Sequence, residues 1–145
     1  MNIVLSGPSG SGKGTITEVL MKNRGYQKFT TCTTRKPREH EKNGFDYYFL
    51  TLDKFLEYLN NGLMHNVREY GGNYYGSFEK DIDNIDANVP TIFQLTPDRA
   101  IEMKKHNPDT LLVLVLPPNV DELKNRRNDR SIKRIEDDIK NLKDA

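Results

Sequence analysis

The sequence predicts an α/β fold: a parallel sheet flanked by helices, with a small mixed α+β insertion. Three observations carry this. A short apolar run at residues 2–6 is followed by a glycine-rich turn and then a helical pattern. Two further apolar runs, at residues 90–95 and 110–116, are each followed by a helix-start signal. The stretch between, residues 33–77, breaks this alternation with short β-like pieces around one helix. Strands alternating with helices point to parallel pairing, because a parallel neighbour needs a crossover.

The first run, Asn2 to Ser6, is too short for a helix and rich in strand formers. The helix after the turn runs through Thr15, Val19 and Leu20 to about Arg24, with Gly25 as its stop. A second strand is expected over residues 26–31. In the insertion, β-like pieces cover residues 46–50, 63–70 and 73–77. A helix over residues 53–61 places Phe55, Leu56 and Leu59 on one face. Gly71, Gly72 and Asn73 are turn residues. Thr96 before Pro97 reads as a capping hydroxyl, and residues 119–122 resemble a capping box. Ile132, Ile135, Ile139 and Leu142 form the stripe of a last amphipathic helix packed on the core.

The whole of residues 1–145 reads as one domain, with a core of residues 1–32 and 78–145 and an insertion of about 33–77. The formal charge is +1, so no overall field recruits nucleic acid or anionic lipid. Only 35% of the residues are hydrophobic, yet their clustering argues against disorder. Cys32 alone excludes a disulfide framework and a multi-thiolate metal site. No apolar run approaches membrane-spanning length and no basic stretch precedes Ile3, so a soluble, cytoplasmic protein without membrane partners is expected. His40, His65 and His106 lack metal-ligand spacing. Cys32 reads as a small filler.

The near-neutral total conceals an asymmetry. Residues 1–44 carry eight basic and three acidic side chains, whereas residues 45–145 carry fourteen basic and eighteen acidic. This points to a local anion site in the first third. Gly7, Pro8, Ser9, Gly10, Ser11, Gly12 and Lys13 match the first seven positions of the phosphate loop G-x-x-x-x-G-K-[ST]. Glycines let backbone N–H groups turn toward phosphate oxygens, the helix N-terminus adds partial positive charge, and the lysine reaches the β/γ-phosphates. The eighth position is Gly14, with the hydroxyl one step later at Thr15. Thr15 is then free to touch a phosphate, and Mg²⁺ is left mainly to the nucleotide oxygens and water, with no protein metal ligand assigned. ATP or a similar triphosphate is the ligand this loop implies.

Arg35 and Arg38 stand three residues apart on a stretch stiffened by Pro37. Guanidinium groups suit multi-contact binding of a phosphate dianion. Beside a phosphate loop they suggest a second anion pocket for an acceptor, with Tyr47 and Tyr75 as phenolic donors. Tyr74 reads as a packing residue.

The segments GPSGSGKGT, TTRKPRE, NGFDYYF and GNYYGS, in this order and spacing, resemble guanylate kinase, the nucleoside-monophosphate kinase that phosphorylates GMP with ATP. The resemblance runs from residue 3 to about 139. It implies a parallel core, an insertion that binds the nucleoside monophosphate (NMP), and a lid at about residues 126–134. It further implies that Arg35 and Arg38 grip the acceptor phosphate with Tyr47 and Tyr75 beside them and Glu41 in the same loop. Thr31 and Ser77 take positions of hydroxyls near the nucleotide, Lys13 stabilises the transferred phosphoryl group, and Arg126, Arg130 and Arg134 are the lid-side arginines.

The chain departs from the family pattern at three places. Asn66 stands where the family reads guanine with a glutamate, with Glu69 nearby as a substitute. Gln94-Leu95-Thr96 stands where the family has Asp-x-Asp, leaving Asp98 as the nearest carboxylate. The lid is shorter, and the family's C-terminal part, with a last strand and residues near the adenine, is absent from the sequence. Phosphate-gripping positions are retained while base-reading positions change. The expectation is ATP-dependent phosphorylation of GMP or dGMP. The alternatives are a kinase for another nucleoside or sugar phosphate, or a non-catalytic module that binds phosphorylated ligands. The sequence leaves the oligomeric state unassigned.

Overall fold

A computed structural model of the chain describes residues 1–8, 10–119, 121 and 140. The chain divides into two compact units, Met1–Lys28 with Val89–Ala145, and Phe29–Asn88.

In the first unit, β1 (Ile3–Ser6) lies between β7 (Thr91–Gln94) and β8 (Leu111–Leu114), parallel to both. With β2 (Gln27–Phe29) outside β7, the sheet order is β2-β7-β1-β8. A strand with parallel neighbours on each side and both faces covered is expected to be uniformly apolar. Accordingly, all four residues of β1 are buried. Ile3, Leu5 and Ile92 form the core, packed by Leu20, Met21, Tyr26, Val113 and Val115. Among the described residues two helices accompany the sheet, α1 (Lys13–Arg24) and α4 (Pro97–His106). The left-handed Gly25 (φ 66°) closes α1, its N–H donating to the Leu20 carbonyl.

The second unit is a mixed sheet of order β4-β3-β6-β5: β3 (Cys32–Thr33), β4 (Tyr48–Phe49), β5 (Met64–Tyr70) and β6 (Asn73–Phe78). Pairing is parallel for β3 with β4 and antiparallel for β3 with β6 and β5 with β6. Gly71 (φ 63°) and Gly72 (φ 78°) form the two-residue turn of the β5–β6 hairpin, which needs positive φ at both positions. The helix α2 (Leu52–Asn60) is capped by Thr51, whose hydroxyl accepts from the Lys54 N–H at 3.2 Å. Phe55, Cys32 and Met64 make the core of this unit, with Tyr74 among the rings packed on it.

Several expectations change. The strand expected over residues 26–31 is shorter: β2 covers Gln27–Phe29, and Thr31, outside any strand, has its carbonyl accepting from the Tyr48 N–H (2.9 Å). The short helix α3 (Glu79–Asp83) has too few residues to show an apolar period. Phe55 is buried and Leu59 packs on the core, whereas Leu56 remains 38% exposed. Thr96 precedes α4 as expected, but its hydroxyl donates to Asp98 Oδ1 (2.6 Å) instead of capping a backbone N–H. Val120 and Glu122 of the capping box and the Ile132, Ile135, Ile139 and Leu142 stripe of the last amphipathic helix lie outside the described residues, as do Arg126, Arg130, Arg134 and Ser9.

Candidate active site

The phosphate-loop residues lie between the end of β1 and the start of α1. Gly7, Gly10 and Gly12 have φ of 138°, 83° and 104°. These angles exclude most side chains, which is why the sequence spends glycine there. At Gly7 a Cβ would also overlap the Val115 carbonyl oxygen. Lys13 opens α1 and folds its ammonium back over the loop, donating to the carbonyls of Gly7 (2.8 Å) and Pro8 (2.9 Å). The Ser11 hydroxyl is buried and has no hydrogen-bond partner among the described residues. A buried orphan oxygen beside a helix N-terminus suits a phosphate. Gly14 is half-buried and Thr15 exposed. The first turn of α1 has no acidic side chain.

Both flanks of the loop are tied to the end of β7. Ser6 Oγ donates to the Leu95 carbonyl (3.0 Å), and Gln94 Nε2 donates to Thr17 Oγ1 (2.7 Å). Thr17 Oγ1 in turn donates to the Lys13 carbonyl (2.9 Å). Sequence reasoning missed this network. Its only signal is a polar residue, Thr17, at helical spacing from the apolar Leu20 and Met21. Among the described residues no group of three or more His, Cys, Asp and Glu is placed to hold a metal.

In the second unit, Arg35, Arg38, Glu41, Tyr47 and Tyr75 form one cluster. The Arg35 backbone is pinned by Thr33, whose Oγ1 accepts from the Arg35 N–H (3.1 Å) and donates to the Tyr74 carbonyl (3.0 Å). Its guanidinium lies over Tyr47 (5.5 Å to the ring centroid) and Phe49 (5.8 Å). Tyr47 meets Tyr75 edge-on at 5.9 Å. Glu41 takes Arg35 Nη2 at 2.8 Å and Nη1 at 3.0 Å, and also accepts from the Arg38 N–H at 2.9 Å. Arg38 Nη1 stands 3.6 Å from the same carboxylate.

A guanidinium has five N–H donors. Glu41 and the Lys36 carbonyl (3.0 Å) use both of Arg35 Nη1 and one of Nη2. The Nε–H and the second Nη2–H, which point the same way, have no partner among the described residues. That edge is a two-donor fork of the kind that binds a phosphate oxygen pair.

Burial opposes the Arg35 charge, but the hydrogen bonds and charge of Glu41 outweigh it and raise the guanidinium pKa. Burial likewise pushes the Glu41 carboxyl up, and the bonds from Arg35 and Arg38 with their charges bring it below the ordinary carboxylate value. Burial pushes the Tyr47 phenol up to about 12, so it is a donor at neutral pH.

Ser77 is buried on β6 opposite His65. Asn66 occupies the bulge in β5 between His65 and Arg68, with φ 55° and its side chain exposed. Asn is among the few residues that accept this left-handed backbone. Neither its amide nor the carboxylate of exposed Glu69 makes a hydrogen bond or ion pair among the described residues. Thr31 contributes its carbonyl to Tyr48, as above. Cys32 is buried, and burial followed by the nearby Asp81 charge pushes its thiol up to about 12, consistent with a filler.

A family model described as guanylate kinase matches residues 1–145. Among curated proteins, the chain is 40% identical over 125 residues to a guanylate kinase of Clostridium acetobutylicum, covering 86% of this chain and 60% of that one. It is 36% identical over 147 residues to one from Listeria monocytogenes serotype 4b, covering 97% and 72%. Among solved structures, the guanylate kinase of Anaplasma phagocytophilum superposes with a TM-score of 0.71 at 30% identity, covering 97% of this chain and 70% of that one. The chain thus spans between 60% and 72% of the length of these relatives.

Proposed function

The chain belongs to the guanylate kinase family, and on that premise we propose that it transfers the γ-phosphoryl group of ATP to GMP, giving ADP and GDP, with dGMP as a second acceptor. The observation that carries this reading is the Arg35 fork: one edge is saturated by Glu41 and Lys36, and a two-donor edge remains for an acceptor phosphate.

In this reading the loop of residues 7–15 binds the ATP phosphates through its backbone N–H groups, and Lys13 moves its ammonium from the Gly7 and Pro8 carbonyls onto the transferring group. Thr15 and Ser11 supply hydroxyls. ATP enters with Mg²⁺ on its phosphate oxygens, as substrate. An acceptor phosphate oxygen forms the new bond to the γ-phosphorus while the bond to the β–γ bridging oxygen breaks, and the electron pair leaves with ADP. Little covalent help is needed; in-line positioning and neutralisation of spread charge do the work. Residues 33–77 hold the acceptor: Arg35, Arg38, Tyr47 and Tyr75 bind the phosphate, Glu41 orients the arginines, and Thr31, Asn66, Glu69 and Ser77 line the base side. Arg126, Arg130 and Arg134, in a lid of about residues 126–134, close over the phosphates and exclude water.

Asn66 favours a second reading, a kinase of altered base choice. A carboxylate accepts twice, as guanine's N1–H and N2–H require, whereas an amide offers one acceptor and one donor. The lysine-bearing loop weighs against a purely non-catalytic phospho-ligand module. A cytoplasmic location suits these substrates; among the described residues no helix is long and apolar enough to cross a membrane.

The test is ADP formation with GMP, dGMP, AMP, UMP and CMP, for wild type, Lys13→Ala and Arg35→Ala. Turnover with GMP is expected, with Lys13→Ala reduced on the order of 10²–10³-fold. ATP binding without turnover on any acceptor would overturn the kinase reading.

A further inference from the structure

We infer that Gln94 is a positioning residue for the phosphate loop: its amide holds Thr17 and, through Thr17, the first turn of α1 that carries Lys13. The inference rests on the ATP-binding reading of that loop for its consequence, and on hydrogen-bond direction for its geometry.

Thr17 is the buried residue of α1, and it is polar. Its hydroxyl has one proton, which goes to the carbonyl of Lys13 one turn earlier (2.9 Å). The oxygen then needs a donor, since a buried hydroxyl left half-satisfied is costly. Gln94, itself only 9% exposed, supplies one from β7 at 2.7 Å. With the Thr17 proton committed, the side chain at position 94 must donate. An amide can. A carboxylate cannot, and it would pull the Thr17 hydroxyl away from Lys13. This is a physical reason for glutamine at a position where the family resemblance implies an acidic residue.

The neighbouring residue completes the arrangement. Leu95 accepts from Ser6 Oγ (3.0 Å), immediately before the loop. The end of β7 therefore anchors the chain on both sides of residues 7–12, at Ser6 and at Thr17. Lys13, whose carbonyl receives the relay, places its ammonium on the Gly7 and Pro8 carbonyls. Loosening the Gln94–Thr17 contact frees the helix turn from the sheet that carries the other flank.

The experiment titrates ATP into wild type, Thr17→Ser, Thr17→Val, Gln94→Glu and the double variant Gln94→Glu/Thr17→Val between pH 5.5 and pH 9. Amide hydrogen exchange of the first turn of α1 is followed in the same proteins without nucleotide. Thr17→Ser is expected to keep wild-type affinity within about twofold, and Thr17→Val to weaken it roughly tenfold with faster exchange in the first turn. Gln94→Glu is expected to match wild type at the acid end, because burial at position 94 raises the introduced carboxyl above the ordinary carboxylate range, so that there it is protonated and donates. It loses affinity and exchange protection as pH rises and the carboxyl ionises. This pH-dependent loss is expected to vanish in the double variant, which has no hydroxyl to misdirect. An equal loss in the double variant would assign the effect to charge repulsion and overturn the relay, as would unchanged exchange in Thr17→Val. Because the Gln94→Glu comparison is made within one protein, a general folding defect does not mimic it. If wild type fails to bind ATP, the kinase reading falls, while the exchange data still decide the relay.

Discussion

Glu41 and Arg35 meet through two hydrogen bonds, of 2.8 and 3.0 Å, across the end of the guanidinium. The carboxylate does more than neutralise a charge. By taking that edge it fixes the plane of Arg35 and leaves the Nε/Nη2 edge facing away from Glu41, with its two donors side by side. A phosphate approaching that edge meets an oriented fork and pays little to order it.

Removing the carboxylate should therefore weaken phosphate recognition selectively. Glu41→Gln is expected to raise the KM for GMP roughly tenfold, since an amide presents one acceptor to a fork that needs two. Guanosine, which lacks the phosphate, should bind Glu41→Gln and wild type alike. Isothermal titration of both ligands checks the pair of expectations; equal losses for GMP and guanosine would point to general damage.

The same contact sets an acid limit. The Glu41 pKa is lowered in the folded protein, so its stabilisation is complete above the ordinary carboxylate range and is lost as pH falls through the lowered value. The stability difference between wild type and Glu41→Gln should be constant from pH 6 to 8 and shrink below about pH 4. Thermal melts across that range measure it.

Gly7 has no room for a side chain. Its φ of 138° is unfavourable for any L-residue, and a Cβ would overlap the Val115 carbonyl oxygen. Gly7→Ala is expected to cost about 1–3 kcal/mol and to abolish tight ATP binding, because relief requires moving either the loop or the segment after β8. Gly72→Ala, which meets no atom within 4 Å, strains only its own backbone and should leave ATP binding intact.

At Asn66 the backbone and the chemistry can be separated. With φ 55°, Asn66→Gly should leave stability nearly unchanged, while Asn66→Val should cost about 1–2 kcal/mol. Asn66→Glu restores two acceptors and is expected to raise the kcat/KM preference for GMP over AMP. An unchanged preference would place base reading elsewhere.

Cys32 should be unreactive. Buried, with its thiol pushed up to about 12, it offers almost no thiolate at pH 8. Iodoacetamide is expected to leave the native protein unlabelled and to modify it fully in denaturant, as intact-mass spectrometry will show.

The elements legible in the sequence are those whose signal is local. Residues 2–6 and 110–116 read as strands because each is a short run dominated by Ile, Val and Leu, and the phosphate loop was readable because positive φ at Gly7, Gly10 and Gly12 restricts the residue type itself. Gly71 and Gly72 announced their hairpin for the same reason. What the tertiary structure alone decided is partnership and direction. Nothing near Thr17 reveals that its hydroxyl meets Gln94, 77 residues away. Nothing in TTRKPRE reveals which edge of Arg35 Glu41 occupies, or that Thr33 pins its backbone. Of residues 26–31 only Gln27–Phe29 is strand, and the Thr31 carbonyl meets the Tyr48 N–H, a contact between distant segments that no strand propensity encodes. Local backbone demands restrict which residues are allowed at a position, so they can be read one residue at a time. A hydrogen bond between distant segments needs both partners in place, and only the folded chain brings them together.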